Sequence, residues 1–271
     1  MTPISYLYIW DFDGVLSDSL TECLTVVSLA VFRHSHPDTE IDEGLLYDVC
    51  DAQIISELDQ WMRPLRPFIV TGQDYLWQYF HKDVFCRGFT SMAEYSEAYQ
   101  SVFCTQKDKG FKTLFYDSRK QLIRLMGEKY MSLFTTFKGA IHALRTSLAR
   151  HDTYICTARD RQALKLILAR HQIVLENKHI YSQDYCADRD NPGISKSEQI
   201  LEILDRNGGR NQPFVIIEDQ AKAPATLRAD CQNMKVVVAT YGYGLDSDWN
   251  KAGIENLVRV ANPSDLIYEI Y

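Results

Sequence analysis

Long hydrophobic runs are missing from this 271-residue chain. No stretch approaches the roughly 20 apolar residues a membrane helix needs, so no membrane span is expected. Nor do the first residues hold a basic segment leading into an apolar run and a small-residue cleavage site. The short apolar stretch at residues 6–10 stops at an acidic residue after a strand's length, and a cytoplasmic protein is the expectation. There is no C-x-x-C pair. The seven cysteines, Cys23, Cys50, Cys86, Cys104, Cys156, Cys186 and Cys231, are odd in number and scattered. Neither a zinc site nor a disulfide framework follows, and reduced, mostly buried thiols are expected. Basic charge is also short. Against 36 Asp and Glu stand 29 Lys and Arg, a formal net charge of −7, which argues against nucleic acid as the main partner because a phosphate backbone demands a basic face. Internal repeats and low-complexity segments are absent as well.

What is present reads as a globular α/β protein. Residues 5–10 (SYLYIW) form an aromatic and β-branched run, expected as a buried strand. It ends at Asp11-Phe12-Asp13-Gly14. Ser19-x-x-Glu22 has the spacing of a capping box opening a helix, with Leu20, Leu24, Val27 and Val31 along one stripe. From about residue 20 to 135 only helices are expected, over 43–61, 73–82, 91–104 and 112–133. Arg63-Pro64-Leu65-Arg66-Pro67 interrupts them as a loop, since proline removes a donor and restricts its neighbour.

After Phe137 the rhythm changes. Helices are expected over 139–149, 160–172, 195–207, near 222–230 and near 264–270. Strands fall between them at 153–156, 179–182, 214–217 and 236–239. Such alternation indicates βαβ units and a parallel sheet covered on both faces. The expected fold is therefore α/β, a Rossmann-like parallel sheet core of residues 1–19 and 136–271 with an inserted helical domain of residues 20–135.

In an open α/β sheet, ligands bind outside the carboxyl ends of the strands. Asp11 and Asp13 follow the first strand, Thr157 follows 153–156, and Glu218 and Asp219 follow 214–217. Ser195-x-x-Glu198 fits a capping box, making Lys196 the first helical residue, at a helix end that favours anions. Clustered carboxylates raise one another's pKa unless a cation neutralises them, and a hard ion such as Mg²⁺ suits oxygen ligands. A carboxylate beside a metal can form an aspartyl-phosphate. The carboxylate two residues on can protonate the leaving oxygen and then activate water. Thr157 can hydrogen-bond a phosphoryl oxygen, and Lys196 can offset its charge.

These residues resemble the four ordered motifs of the haloacid dehalogenase (HAD) superfamily. Asp11-Phe12-Asp13-Gly14-Val15-Leu16-Ser17-Asp18-Ser19 resembles the first motif and Tyr154-Ile155-Cys156-Thr157 the second. Lys196 stands for the third and Val215-Ile216-Ile217-Glu218-Asp219 for the fourth. The resemblance implies a nucleophile at Asp11, an acid/base at Asp13, a phosphate ligand at Thr157 and a charge-offsetting Lys196. It further implies Mg²⁺ held by Asp11, the Asp13 backbone carbonyl and Asp219, with Glu218 as a further candidate, and a helical C1-type cap made by the insertion. Two positions depart from the pattern. Val15 replaces the commoner threonine. Ala223 stands where many members place another acid, four residues beyond Asp219.

The implied activity is hydrolysis of a small phosphorylated metabolite. A phosphomutase using the same residues, or a catalytically weak binding or regulatory protein, are the alternatives. Arg159 reads as a surface or packing residue, and Tyr75, Leu76, Tyr79 and Phe80 read as core of the insertion. Arg63 and Arg66, on their expected loop, are candidates to recognise an anionic part of the leaving group, since arginine's fork suits carboxylate or phosphate. In this architecture one edge of the insertion is expected to close over the strand ends. Substrate identity and oligomeric state have no readable signature.

Overall fold

The computed structural model describes residues 6–185 and 195–270. Ser5 and Cys186 lie outside the described residues. Two compact units make up the chain, Met1–Asp18 with Thr136–Tyr271, and Ser19–Thr135.

In the first unit, six strands form one sheet: β1 (Leu7–Trp10), β2 (Asp152–Cys156), β3 (Ile180–Tyr181), β4 (Phe214–Glu218), β5 (Met234–Ala239) and β6 (Leu257–Val260). Their order is β3-β2-β1-β4-β5-β6, and every neighbouring pair is parallel. This is the doubly wound order of the Rossmann fold. Every residue of β1 and β4 is buried, as a central strand covered on both faces requires, and the apolar runs in the sequence are continuous for that reason. Polar ties cross between elements. Trp10 Nε1 donates to Ser147 Oγ at 3.3 Å, and Ser147 Oγ shares a 2.8 Å hydrogen bond with Thr153 Oγ1. The helix Lys138–Arg150 is thereby fixed to both β1 and β2.

Chain order sets the site. From β1 the connections run outward through β2 to β3, and the chain then crosses to β4 on the other side of β1. Loops leaving β1, β2 and β4 therefore emerge side by side at the carboxyl edge, at a topological switch point. Register agrees, because Trp10 lies opposite Ile155 on one side and Ile217 on the other. Asp11, Cys156 and Glu218 each come one residue later. The Phe137 N–H donates to the Leu16 carbonyl at 3.0 Å, so the unit's outgoing and returning segments meet.

Three elements of this unit differ from expectation. The edge strand β6 and the helix Asp246–Lys251 were not anticipated, and the last element is a 3₁₀ helix, Pro263–Glu269, rather than an α-helix. β6 is only four residues long, half-exposed and carries Arg259, so it lacks an apolar run.

The second unit is helical, with α-helices Leu20–Ser35, Glu43–Val49, Ala52–Met62, Gly72–Phe80, Lys82–Phe85, Met92–Val102 and Thr105–Met126. The helix expected over 43–61 is broken near Cys50 and Asp51, where Asp51 accepts from the Gln53 N–H and restarts the helix. Residues 63–67 are not a loop but part of the 3₁₀ helix Arg63–Phe68. Pro64 stands in its first turn, a position proline favours. The expected Ser19 capping bond is also absent. Glu22 instead takes the Arg119 guanidinium at 2.8 Å and the Tyr130 hydroxyl at 2.8 Å, all in the interior of the unit. Tyr75 and Leu76 are core, while Tyr79 and Phe80 are half-buried. Among the described residues, no helix is long and apolar enough to cross a membrane.

Candidate active site

The Asp11 N–H donates to the Ile217 carbonyl at 2.9 Å, extending the β1–β4 ladder one residue beyond Trp10. The chain then turns tightly. The Phe12 carbonyl accepts from the amides of Val15, Leu16 and Ser17. Gly14 has φ +87°, and a Cβ there would lie 2.1 Å from Asp219 Oδ2. Only glycine satisfies both the left-handed backbone and the close approach of a carboxylate.

Lys196 arrives from another element. Ser195 caps the helix Lys196–Arg206 in a full capping box with Glu198, making Lys196 its first residue. Its ammonium lies 2.9 Å from Asp11 Oδ1 and 2.5 Å from Glu218 Oε2. The other oxygen of Glu218 accepts from the amides of Asp219 and Gln220 at 3.2 and 3.3 Å. Asp219 is held by the segment after β5. Its Oδ2 accepts the Tyr243 N–H at 2.8 Å, and its carbonyl accepts Trp249 Nε1 at 3.0 Å. A Cβ on Gly244 would sit 1.6 Å from the Asp219 carbonyl oxygen. The Tyr243 hydroxyl reaches Asp18 Oδ1 at 2.5 Å, joining this segment to the loop after β1.

Carboxylate oxygens of Asp11, Glu218 and Asp219 come within 4.8 Å of one another, and all three residues are buried. Burial pushes the Asp11 pKa well above the ordinary carboxylate value, and the neighbouring Glu218 charge pushes it further, against the pull of Lys196. Glu218 is raised as well, by burial first, with Lys196 opposing and Asp219 adding repulsion. Burial works against the Lys196 ammonium, but attraction to Asp11 and Glu218 outweighs it and holds its pKa above the usual lysine value. Three buried carboxylates thus gather their oxygens in one place beside one ammonium. An all-oxygen donor set of this kind fits a hard divalent cation.

The carboxylate of Asp13 has a different partner. Arg159 Nη2 and Nε lie 2.8 and 3.2 Å from Asp13 Oδ1, and the Arg159 side chain is fully buried. Arg159 is thus not a surface residue but an interior charge at this rim. Thr157, after β2, donates its N–H to the Tyr181 carbonyl at 2.8 Å and accepts the Arg159 N–H on Oγ1 at 3.2 Å. Asp11, Asp13, Thr157, Lys196, Glu218 and Asp219 all belong to the first unit. Arg63 and Arg66 belong to the second. Arg63 pairs with Asp59 one helical turn back, at 2.8 Å, and Arg66 is buried.

No protein-family model matches the sequence, and no curated protein is significantly similar to it. Solved structures do match along the whole chain. A haloacid dehalogenase-like family hydrolase of Streptococcus pneumoniae covers 100% of both chains, with TM-score 0.57 and 13% identity. A protein of Clostridium acetobutylicum described as a predicted phosphatase covers 98% of each chain, at TM-score 0.57 and 16% identity. One of Haemophilus somnus, described as a predicted phosphoglycolate phosphatase, covers 100% of each at TM-score 0.56 and 13% identity. The fold is that of the haloacid dehalogenase-like hydrolases.

On this haloacid dehalogenase-like scaffold, sequence reasoning missed Tyr243, Trp249 and the role of Arg159 at the rim. A signal for the first was present. Gly242-Tyr243-Gly244 begins three residues after the expected strand 236–239, and paired glycines near a strand's carboxyl end indicate close backbone approach. Nothing local marks Trp249, whose partner lies 30 residues earlier.

Proposed function

We propose that this chain is a phosphomonoester hydrolase, which moves the phosphoryl group of a small phosphorylated metabolite to Asp11 and then to water. The observation that carries the reading is the Lys196 ammonium in contact with Asp11 and Glu218, inside a cluster of three buried carboxylates at the switch point. Solved proteins of the same fold described as predicted phosphatases support a phosphoester substrate.

In the first step an Asp11 oxygen bonds to phosphorus while the bond from phosphorus to the leaving oxygen breaks. Asp13, as the carboxylic acid, gives its proton to that oxygen, so the leaving group departs as a neutral alcohol. In the second step the Asp13 carboxylate takes a proton from water. The water oxygen bonds to phosphorus as the bond to Asp11 breaks, releasing phosphate. Thr157 Oγ1 already accepts the Arg159 N–H, so its own O–H is the donor toward a phosphoryl oxygen. Lys196 offsets phosphoryl charge, and Glu218, with both oxygens engaged, keeps Lys196 in place. Asp11 and Asp219, with the Asp13 carbonyl, are the residues to hold Mg²⁺; when bound, it would neutralise their charge and polarise the phosphoryl group.

Magnesium-dependent phosphate release from 4-nitrophenyl phosphate tests this. It should vanish in Asp11→Asn and on chelation, and full activity of Asp11→Asn would remove the nucleophile from the scheme. With phenyl phosphate, whose leaving oxygen needs the proton, Asp13→Asn should lower kcat by roughly 10²–10⁴ with KM nearly unchanged, the size of a general acid/base contribution. For the leaving group, Arg63 and Arg66 are the proposed readers. Replacing both with alanine should raise KM for an anionic substrate and spare 4-nitrophenyl phosphate.

A further inference from the structure

We propose that Arg159 is a positioning residue, holding the Asp13 carboxylate where it exchanges a proton with the leaving oxygen. The inference rests on the hydrolase reading above and adds a residue to it.

A guanidinium with no solvent exposure is costly to bury unless it is paired. Arg159 meets Asp13 through two nitrogens of one planar fork, at 2.8 and 3.2 Å from the same oxygen. A fork holds a carboxylate by geometry as well as charge. The base of the side chain is pinned from both sides. The Arg159 N–H donates to Thr157 Oγ1, and its carbonyl accepts the Gln183 N–H at 3.0 Å. The guanidinium also lies 5.6 Å from the ring centroid of Phe12, the residue between the two aspartates. Arg159 therefore couples the loop after β2, which carries Thr157, to the loop after β1, which carries Asp13. Asp13 is 19% exposed at its side chain while its partner is fully buried. A partly accessible carboxylate on an anchored support is the arrangement a proton-transferring group requires.

Leaving-group dependence separates positioning from folding. Phenyl phosphate has a poor leaving group and needs the proton from Asp13 as the bond breaks, whereas 4-nitrophenyl phosphate leaves readily without it. kcat/KM for each reports the steps up to leaving-group departure. In Arg159→Met, phenyl phosphate turnover should fall by about 10²-fold, the scale of a lost general acid, and 4-nitrophenyl phosphate turnover by less than about 10-fold. Arg159→Lys, which keeps charge but not the fork, should retain the fold and show the same split, with phenyl phosphate losing at least about 10-fold more than 4-nitrophenyl phosphate. In an Asp13→Asn background, neither substitution should change the ratio further, because Arg159 acts through Asp13. Equal losses on both substrates, or a wild-type ratio in Arg159→Lys, would overturn the inference. Absence of phosphate release by the wild-type protein would instead overturn the hydrolase reading.

Discussion

Cys104 and Cys50 carry the same thiol with opposite reactivity. Cys104 is exposed at the start of the helix Thr105–Met126, where the amides of Lys107 and then Gln106 stabilise its thiolate and lower its pKa. Cys50 is half-buried, and burial pushes its thiol up to about 12. Since the thiolate is the nucleophile, iodoacetamide near neutral pH should label Cys104 at least about 10-fold faster than Cys50, read by peptide mass mapping. Equal rates would contradict the local electrostatics of that helix start. Among the described residues, Cys23, Cys156 and Cys231 are buried as expected, while Cys50 is half-buried and Cys86 and Cys104 are exposed. The same contrast explains what was legible at single positions. Asp11, Asp13, Thr157, Glu218 and Asp219 were visible because each follows an apolar strand run, and a carboxylate or hydroxyl there breaks the pattern. Arg159 was not, because its partner lies 146 residues earlier and its burial depends on the sheet order.

At the scale of elements, two capping signatures with the same spacing had different fates. Ser195 and Glu198 close a reciprocal box, while Glu22 leaves Ser19 for Arg119 and Tyr130. A capping bond contributes about 1 kcal/mol, and a buried carboxylate within reach of a guanidinium and a phenol has the stronger claim. That choice depends on partners 97 and 108 residues away, so no local pattern discloses it. The Arg119 guanidinium also lies 4.9 Å from the Phe115 ring centroid. Replacing Arg119 with methionine takes the guanidinium from the buried Glu22 charge and should cost about 3–5 kcal/mol. Adding Glu22→Gln should recover part of that loss, because that charge is then gone. Urea denaturation of both variants measures it, and a double variant less stable than Arg119→Met would show that the pair matters for packing rather than charge. Central strands were legible for the opposite reason, since burial on both faces writes a continuous apolar run. The edge strand β6 has no such run and was missed.

For the whole molecule, the division into two compact units gives metal binding a stability signature independent of turnover. Asp11, Glu218 and Asp219 all belong to the unit of Met1–Asp18 and Thr136–Tyr271, and their mutual repulsion is part of what that unit must overcome to fold. A cation that binds the folded cluster and not the unfolded chain stabilises by mass action, about 2.7 kcal/mol at a hundredfold excess over its Kd. With about 2–4 °C per kcal/mol for a domain of 150–250 residues, Mg²⁺ should raise the unfolding temperature of that unit by about 5–10 °C. The helical unit of Ser19–Thr135 holds none of these carboxylates. If calorimetry resolves two transitions, one should move with Mg²⁺ and the other stay. Asp219→Asn removes a cluster oxygen's charge without changing its size, so its transition should respond far less. A shift of equal size in wild type and Asp219→Asn, or a shift confined to the helical unit, would place the cation elsewhere. The measurement needs no substrate, so it distinguishes a metal site that fails to form from a hydrolase whose substrate has not been found.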